Sequence, residues 1–310
     1  MAEDSPKAGS EHGSSTKAIL FALLANLGIA LTKTAAALWT HSGSMVAEAI
    51  HSYADTVNQL LLFLGLKQAE QPPTTEHPLG YGKVTYFWSF VVALLLFSLG
   101  GLFSIYEGWH KLHAPEPLNQ AWVALSVLAI AILLESASLR GCLNEIRKVR
   151  RGRRFRDWLE HTRNAELVVV LGEDVAALAG LTIAFVFVSL AALTGDTRWD
   201  AAGSIAIGVV LIVVALFLAR RIRTLLIGRS ADPALQRSLV ALIEEDPFID
   251  ELLHAITLQF GPKVVLAAKV RMSPGLSIEV AVAQINALER SIKQAHPEVG
   301  WCFVEPDVTD

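Results

Sequence analysis

The chain has 310 residues, 53% of them hydrophobic and only 18% charged, with a mean hydropathy of +0.44. Ordinary soluble domains run near a quarter charged, so this composition excludes a disordered chain and argues against a purely soluble enzyme. A net charge of −4 argues against a nucleic-acid binder, and the two cysteines, Cys142 and Cys302, exclude a disulfide scaffold or a Cys-rich zinc finger.

Residues 1–16 are rich in Ser, Gly and charge, which predicts a disordered tail. A helix needs roughly 20 apolar residues to cross a bilayer. Six candidate spans follow, at 18–39, 44–66, 84–108, 120–142, 167–193 and 200–219. The first is not read as a signal peptide, because Glu3, Asp4 and Glu11 precede it and further spans follow. Basic residues set the orientation. Arg140, Arg147, Lys148, Arg150, Arg151, Arg153, Arg154, Arg156 and Arg163 lie between spans four and five, and Arg220, Arg221, Arg223 and Arg229 end span six. Both segments, and with them both termini, are expected in the cytoplasm. Positive-inside bias accounts for the Arg run without a nucleic-acid partner.

The composition changes after Gly228. Asp232-Pro233 predicts a helix start, with Asp232 as N-cap and the helix running to about Glu245. Strands are expected at 252–260 and 263–271 around a Gly261-Pro262 turn. From Ser277 to Ala295 the pattern is helical, with Ile278, Val282, Ile285, Leu288 and Ile292 on one face, and 299–304 reads as a last strand. The expected organisation is a tail (1–16), a six-helix transmembrane domain (17–227) and a small cytoplasmic α+β domain of order α-β-β-α-β (228–310).

Polar groups inside the spans are costly, at least ~2.5 kcal/mol for a charge at mid-bilayer, and are functional candidates by default. In span two Glu48, His51 and Asp55 stand at i, i+3 and i+7, so they share one helix face. One imidazole nitrogen and one carboxylate oxygen a turn apart can reach the same ion, a donor pair that suits Zn²⁺, whereas an all-oxygen set would suit Mg²⁺ or Mn²⁺. The competing reading is a hydrogen-bonded cluster that ties helices together. Asn58 and Gln59 read as packing or supporting groups. In span five Glu173 and Asp174 are adjacent, about 100° apart on a helix, so they cannot both point at one ion without distortion. One of them binds a cation, or one pairs with a basic residue such as Lys33 of span one. Asn26 is a further polar group there.

His51-Ser-Tyr-Ala-Asp55 in span two, followed by His77-Pro-Leu-Gly-Tyr-Gly-Lys83 at the opening of span three, resembles the cation diffusion facilitator family of zinc transporters. The segment Gly43 to Ser52, followed by Asn58-Gln59, is most similar to the zinc transporter 9 branch. The resemblance covers residues 17 to 307 and implies a homodimer in a lipid bilayer that exports cytoplasmic Zn²⁺ in exchange for protons. It implies no resident cofactor, the metal being the substrate; Mn²⁺, Fe²⁺, Co²⁺ and Cd²⁺ are alternative cargoes. It also implies a tetrahedral site with two ligands from span two and two from span five.

His51, Asp55 and Asp174 fit those positions, but Val170 stands where the fourth ligand belongs. Glu173 is the natural substitute, with Glu48 or a water as rivals. The departure also motivates a second reading, a non-transporting regulatory or assembly subunit. Thr74 and Tyr81 replace two ligands of an accessory loop site, which leaves His77 a structural role, and Lys269 falls on a His position of the family's C-terminal zinc pair. That domain, carrying Glu305, Asp307 and isolated His254 and His296, is expected to dimerise without a zinc cluster. No Walker A or His-Glu-x-x-His motif occurs, so neither ATP hydrolysis nor intramembrane proteolysis is expected. The expected membrane is a bacterial plasma membrane or an organelle inner membrane.

Overall fold

The computed structural model describes residues 43–114, 121–150 and 152–309, preceded by residue 23 and residues 26–32, 34, 35 and 38; of residues 43–51 only the backbone is described. The expected N-terminal tail, half of the first span with Lys33, and the Glu48 and His51 side chains lie outside the described residues.

Among the described residues, four helices are long and apolar enough to cross a membrane: α2 (Val84–His113), α3 (Ala121–Val149), α5 (Ala165–Thr194) and α6 (Arg198–Ile227). They correspond to expected spans three to six, each extended by polar turns that hydropathy alone discounts. α1 (Gly43–Ala69) is as long but carries the polar face described above and falls short of the apolar standard. Six apolar spans are therefore not established among the described residues. A short helix absent from the sequence reading, α4 (Phe155–His161), lies between α3 and α5. At seven residues it is too short to be stable alone, which is why pattern reading misses it.

The chain divides into two compact units. The first comprises Met1–Lys67, Phe87–Val149 and Glu166–Arg220; the second comprises Gln68–Tyr86, Arg150–Ala165 and Arg221–Asp310. Within the first, α2 contains a π-helical turn, Leu96–Leu102, around Gly100-Gly101. A Cβ on Gly101 would lie 2.5 Å from Ile212 Cγ1, and one on Gly208 would lie 2.7 Å from the Gly101 carbonyl oxygen. Only glycine at both positions lets the α2 and α6 backbones pack this closely, the usual small-residue solution for helices in lipid.

In the second unit, α7 (Pro233–Glu244) begins as expected: the Asp232 side chain accepts from the Ala234 amide and Pro233 occupies the first turn. β1 (Ile249–Phe260) and β2 (Lys263–Met272) form an antiparallel hairpin whose register closes at Phe260 and Lys263. α8 (Ile278–Ala295), capped by Ser277, crosses over to β3 (Val299–Pro306), which pairs parallel with β2. The sheet order is β1-β2-β3. β2 alternates, so Val264, Leu266, Ala268 and Val270 point to one side and meet Leu239 and Ile243 of α7 and Leu288 and Ile292 of α8. The expected apolar face of α8 is thus only half used. Ile278, Val280 and Val282 are exposed, because the buried residues of β2 and β3 meet only the last turns of α8.

The arginines counted earlier for orientation alone also hold this unit together. Trp158 of α4 is 2% exposed. Arg221 donates to the carbonyls of Leu159 and Thr162, Arg229 to that of Glu160 at 3.0 Å, and Arg163 to Ser230 and Ala231 at 2.7 and 3.0 Å. Cationic donors at the last carbonyls of α4 satisfy groups that a helix end leaves open.

Candidate metal centre

The site is built by helices of the first unit. On α1, Ser52 and Asp55 are one turn apart, and Asn58 follows at another i+3 step. Asn58 is 3% exposed, and its amide hydrogen-bonds Glu173 of α5. Its Oδ1 and the Gln59 Oε1 are buried with no hydrogen-bond partner among the described residues. The backbones of Glu48 and His51 belong to the same helix, but their side chains lie outside the described residues.

On α5, Asp174 is 8% exposed. Its Oδ1 accepts from Ser138 Oγ of α3 at 3.2 Å, while its Oδ2 is buried without a partner among the described residues. Glu173 is half-buried as a residue, yet its Oε1 is enclosed and, among the described residues, unpartnered. Asp55 lies near enough for its charge to act on both Glu173 and Asp174. Of the five residues expected at a metal site, Asp55, Glu173 and Asp174 lie within electrostatic range of one another. Val170, one turn before Asp174, offers no donor.

A small cavity of about 30 Å³ opens beside Asp55, lined by Asn26 and Ile29, by Ser52 and Asp55 of α1, by Ala131, Leu134 and Glu135 of α3, and by Ala177 and Leu181 of α5. That volume exceeds what one water requires, about 10–15 Å³. Glu135 and Ser138 are functional candidates that the sequence reading passed over. A signal was available: Glu135 is a lone carboxylate within the apolar run 121–142, with a hydroxyl one turn later. Among the described residues, no three His, Cys, Asp or Glu side chains converge on a single ion position. What the arrangement provides is a set of carboxylates and buried acceptor oxygens, with a small cavity at Asp55 and Glu135. Such a set repels itself in a low-dielectric interior unless protons or a cation neutralise it.

The other sequence-marked positions lie in the second unit. His77 stacks on Tyr81 with ring centroids 4.5 Å apart, its amide donates to Thr74 Oγ1 at 3.1 Å, and Gly80 N–H donates to its carbonyl at 2.8 Å. The 74–81 loop is therefore closed by its own contacts. Lys269 Nζ pairs with Asp307 Oδ2 at 3.0 Å, and that hydrogen bond holds the Asp307 carboxyl below the usual carboxylate range. His296 Nε2 hydrogen-bonds Ser238 Oγ at 2.9 Å.

The family profile described as the cation efflux transmembrane domain matches residues 19–227. A protein of Homo sapiens described as "Proton-coupled zinc antiporter SLC30A9, mitochondrial" is 34% identical over 276 residues, 88% of this chain and 48% of that one. Its Xenopus laevis counterpart is 34% identical over 260 residues, 83% and 46% of the two chains. "Metal tolerance protein C4" of Arabidopsis thaliana is 34% identical over 227 residues, 72% and 50%. The chain spans about half the length of these relatives.

Proposed function

The chain belongs to the cation efflux family, the cation diffusion facilitators, and from that membership we propose that it moves a divalent metal cation, Zn²⁺ before others, across a membrane in exchange for protons. What carries the reading is Asp174: a carboxylate on an apolar helix, buried, with one oxygen held by Ser138 and the other without a partner among the described residues, within the field of Asp55. The names of the relatives, a proton-coupled zinc antiporter and a metal tolerance protein, point the same way. In this reading His51, Asp55 and Asp174 are the metal ligands, with Glu173 or Glu48 assisting.

The chemistry follows from the donors. Carboxylates and imidazole coordinate only when deprotonated, so metal binding displaces protons and protons displace metal. An imidazole titrates near neutral pH, which makes that competition effective under ordinary conditions. Alternating access turns the competition into exchange: the metal enters from one side, the bundle rocks, and protons arriving from the other side release it. The polar face of α1 and the two carboxylates of α5 lie on separate helices, so a shift of one helix against the other changes the number of donors within reach of an ion. The C-terminal α-β-β-α-β domain is assigned to homodimer formation, and the Lys269–Asp307 pair supports a role there without a zinc cluster.

The test is Zn²⁺ flux into proteoliposomes under an imposed proton gradient, with His51→Ala and Asp174→Ala beside the unaltered protein. Zinc flux that needs the gradient and is lost in both variants is the expected result. Absence of flux of Zn²⁺, Mn²⁺ and Co²⁺ by the unaltered protein overturns autonomous transport and favours the reading that Val170 motivates, a non-transporting assembly subunit.

A further inference from the structure

We propose that the arginines gathered around α4 form a docking site for the phosphate headgroup of an anionic membrane lipid.

The whole chain has a net charge of −4, yet residues 150–163 and 221–232 hold nine arginines against three carboxylates, Asp157, Glu160 and Asp232. Two of those carboxylates are engaged, Asp232 by Arg153 at 2.6 Å and Glu160 by Arg156 at 3.3 Å. Arg163, Arg221 and Arg229 spend donors on main-chain carbonyls instead. Arg221 binds those of Leu159 and Thr162, Arg229 that of Glu160, and Arg163 those of His161, Ser230 and Ala231. Carbonyls satisfy N–H groups but cancel no charge. The three half-buried guanidiniums lie within electrostatic range of one another. Burial, and after it the charge of Arg229, pull Arg163 down to about 10, with Arg221 adding to the effect and Asp232 opposing it. Positive-inside bias needs basic residues on one side of a membrane, but not guanidiniums crowded at one place. An anion relieves their repulsion, and phosphate oxygens match the guanidinium fork.

The position of the cluster favours a lipid over a soluble phosphate. Arg221 and Arg223 stand in the last two turns of α6, after its apolar run, at the hydrocarbon boundary where lipid phosphates lie. The bonds from Arg221 to Leu159 and Thr162 hold the end of α4 at that level. The same segments expose Phe155, between the exposed Arg154 and Arg156, and Ile227. Apolar side chains beside guanidiniums suit a headgroup layer, whereas a soluble anion would need the cations alone. Arg154 and Arg223 are exposed and make no side-chain hydrogen bond or ion pair among the described residues, so their charge can serve a headgroup without loss to the fold.

The experiment titrates phosphatidylglycerol into the purified full chain in neutral detergent and reads the apparent affinity from the rise in unfolding temperature. Phosphatidylcholine and inorganic phosphate are run in parallel. The variants are Arg229→Gln, the pair Arg154→Gln with Arg223→Gln, and a control pair, Arg237→Gln with Arg290→Gln, which removes two exposed arginines of α7 and α8. Phosphatidylglycerol is expected to raise the unfolding temperature, the other two probes to leave it unchanged, and the rise to vanish in about 1 M salt. Arg229→Gln should weaken phosphatidylglycerol binding about fivefold and the Arg154/Arg223 pair more than about tenfold, with the control pair within about twofold of the unaltered protein. No rise with phosphatidylglycerol, or an equal rise with phosphatidylcholine, overturns the inference. Inorganic phosphate binding as tightly as phosphatidylglycerol also overturns it, and assigns the arginines to a soluble anion. If Arg229→Gln does not fold, the Arg154/Arg223 pair decides: binding weakened more than about tenfold supports the inference, and binding within about twofold of the control pair overturns it.

Discussion

Asp232 illustrates how much one side chain carries. Burial opposes its ionisation, but hydrogen bonds from Arg153 (2.6 Å) and from the Ala234 amide, with the charges of Arg153 and Arg163, outweigh it and hold the carboxyl below its ordinary value of 3.8. Because the folded-state value lies below the unfolded one, the stability it contributes is present above the ordinary value. It is lost as pH falls through the folded-state value. Asp232→Ala is expected to cost about 1 kcal/mol. Asp232→Asn should keep most of the cap and lose the acid dependence. Thermal unfolding of the full chain across the acid range separates the two, and identical pH profiles for Asp232→Asn and the unaltered protein would sink the assignment. The residue was identifiable in advance, because Asp-Pro before an apolar period is a local signal. Its pairing with Arg153 was not, because 79 positions separate the two.

At the scale of elements, the contact between α2 and α6 is set by glycines facing glycines. Gly208→Val would drive a side chain against the Gly101 carbonyl and Ile105, where a Cβ would already lie 2.7 and 2.6 Å away. The expected result is a loss of about 1–3 kcal/mol, seen as a lower unfolding temperature in detergent together with reduced flux. Gly141→Ala on α3 provides the control. Nothing lies within 4 Å of its Cβ position, so the gain in helix propensity, about 0.5–1 kcal/mol, should appear unopposed. Equal effects of the two substitutions would contradict the packing account. Neither outcome follows from composition: all three glycines sit in apolar helices, and only the neighbouring helix distinguishes them.

For the molecule as a whole, binding and stability are linked. A cation that binds only the folded state stabilises it by about 2.7 kcal/mol at a concentration one hundred times its Kd. Zn²⁺ is therefore expected to raise the unfolding temperature of the unaltered protein, and a chelator to reverse the rise. In Asp174→Ala the rise should vanish. A Zn²⁺-induced rise of the same size in Asp174→Ala would place the stabilising ion elsewhere.

Sequence by itself determined what depends on local order. Among the described residues, four apolar runs of bilayer length became helices, and the α-β-β-α-β order followed from Asp232-Pro233, Gly261-Pro262 and Ser277, each a cap or turn whose chemistry is complete within a few residues. Asp55, Glu173 and Asp174 were legible as candidates because an ionisable group in an apolar run is conspicuous wherever it lies. Only the tertiary structure decided which of these groups meet. Ser138 on Asp174, Glu135 beside Asp55 at one cavity, Asn58 on Glu173 and the arginines over α4 all join residues distant in the chain. The reason is physical: helix periodicity determines which face a residue occupies, but the packing of whole helices determines what that face meets.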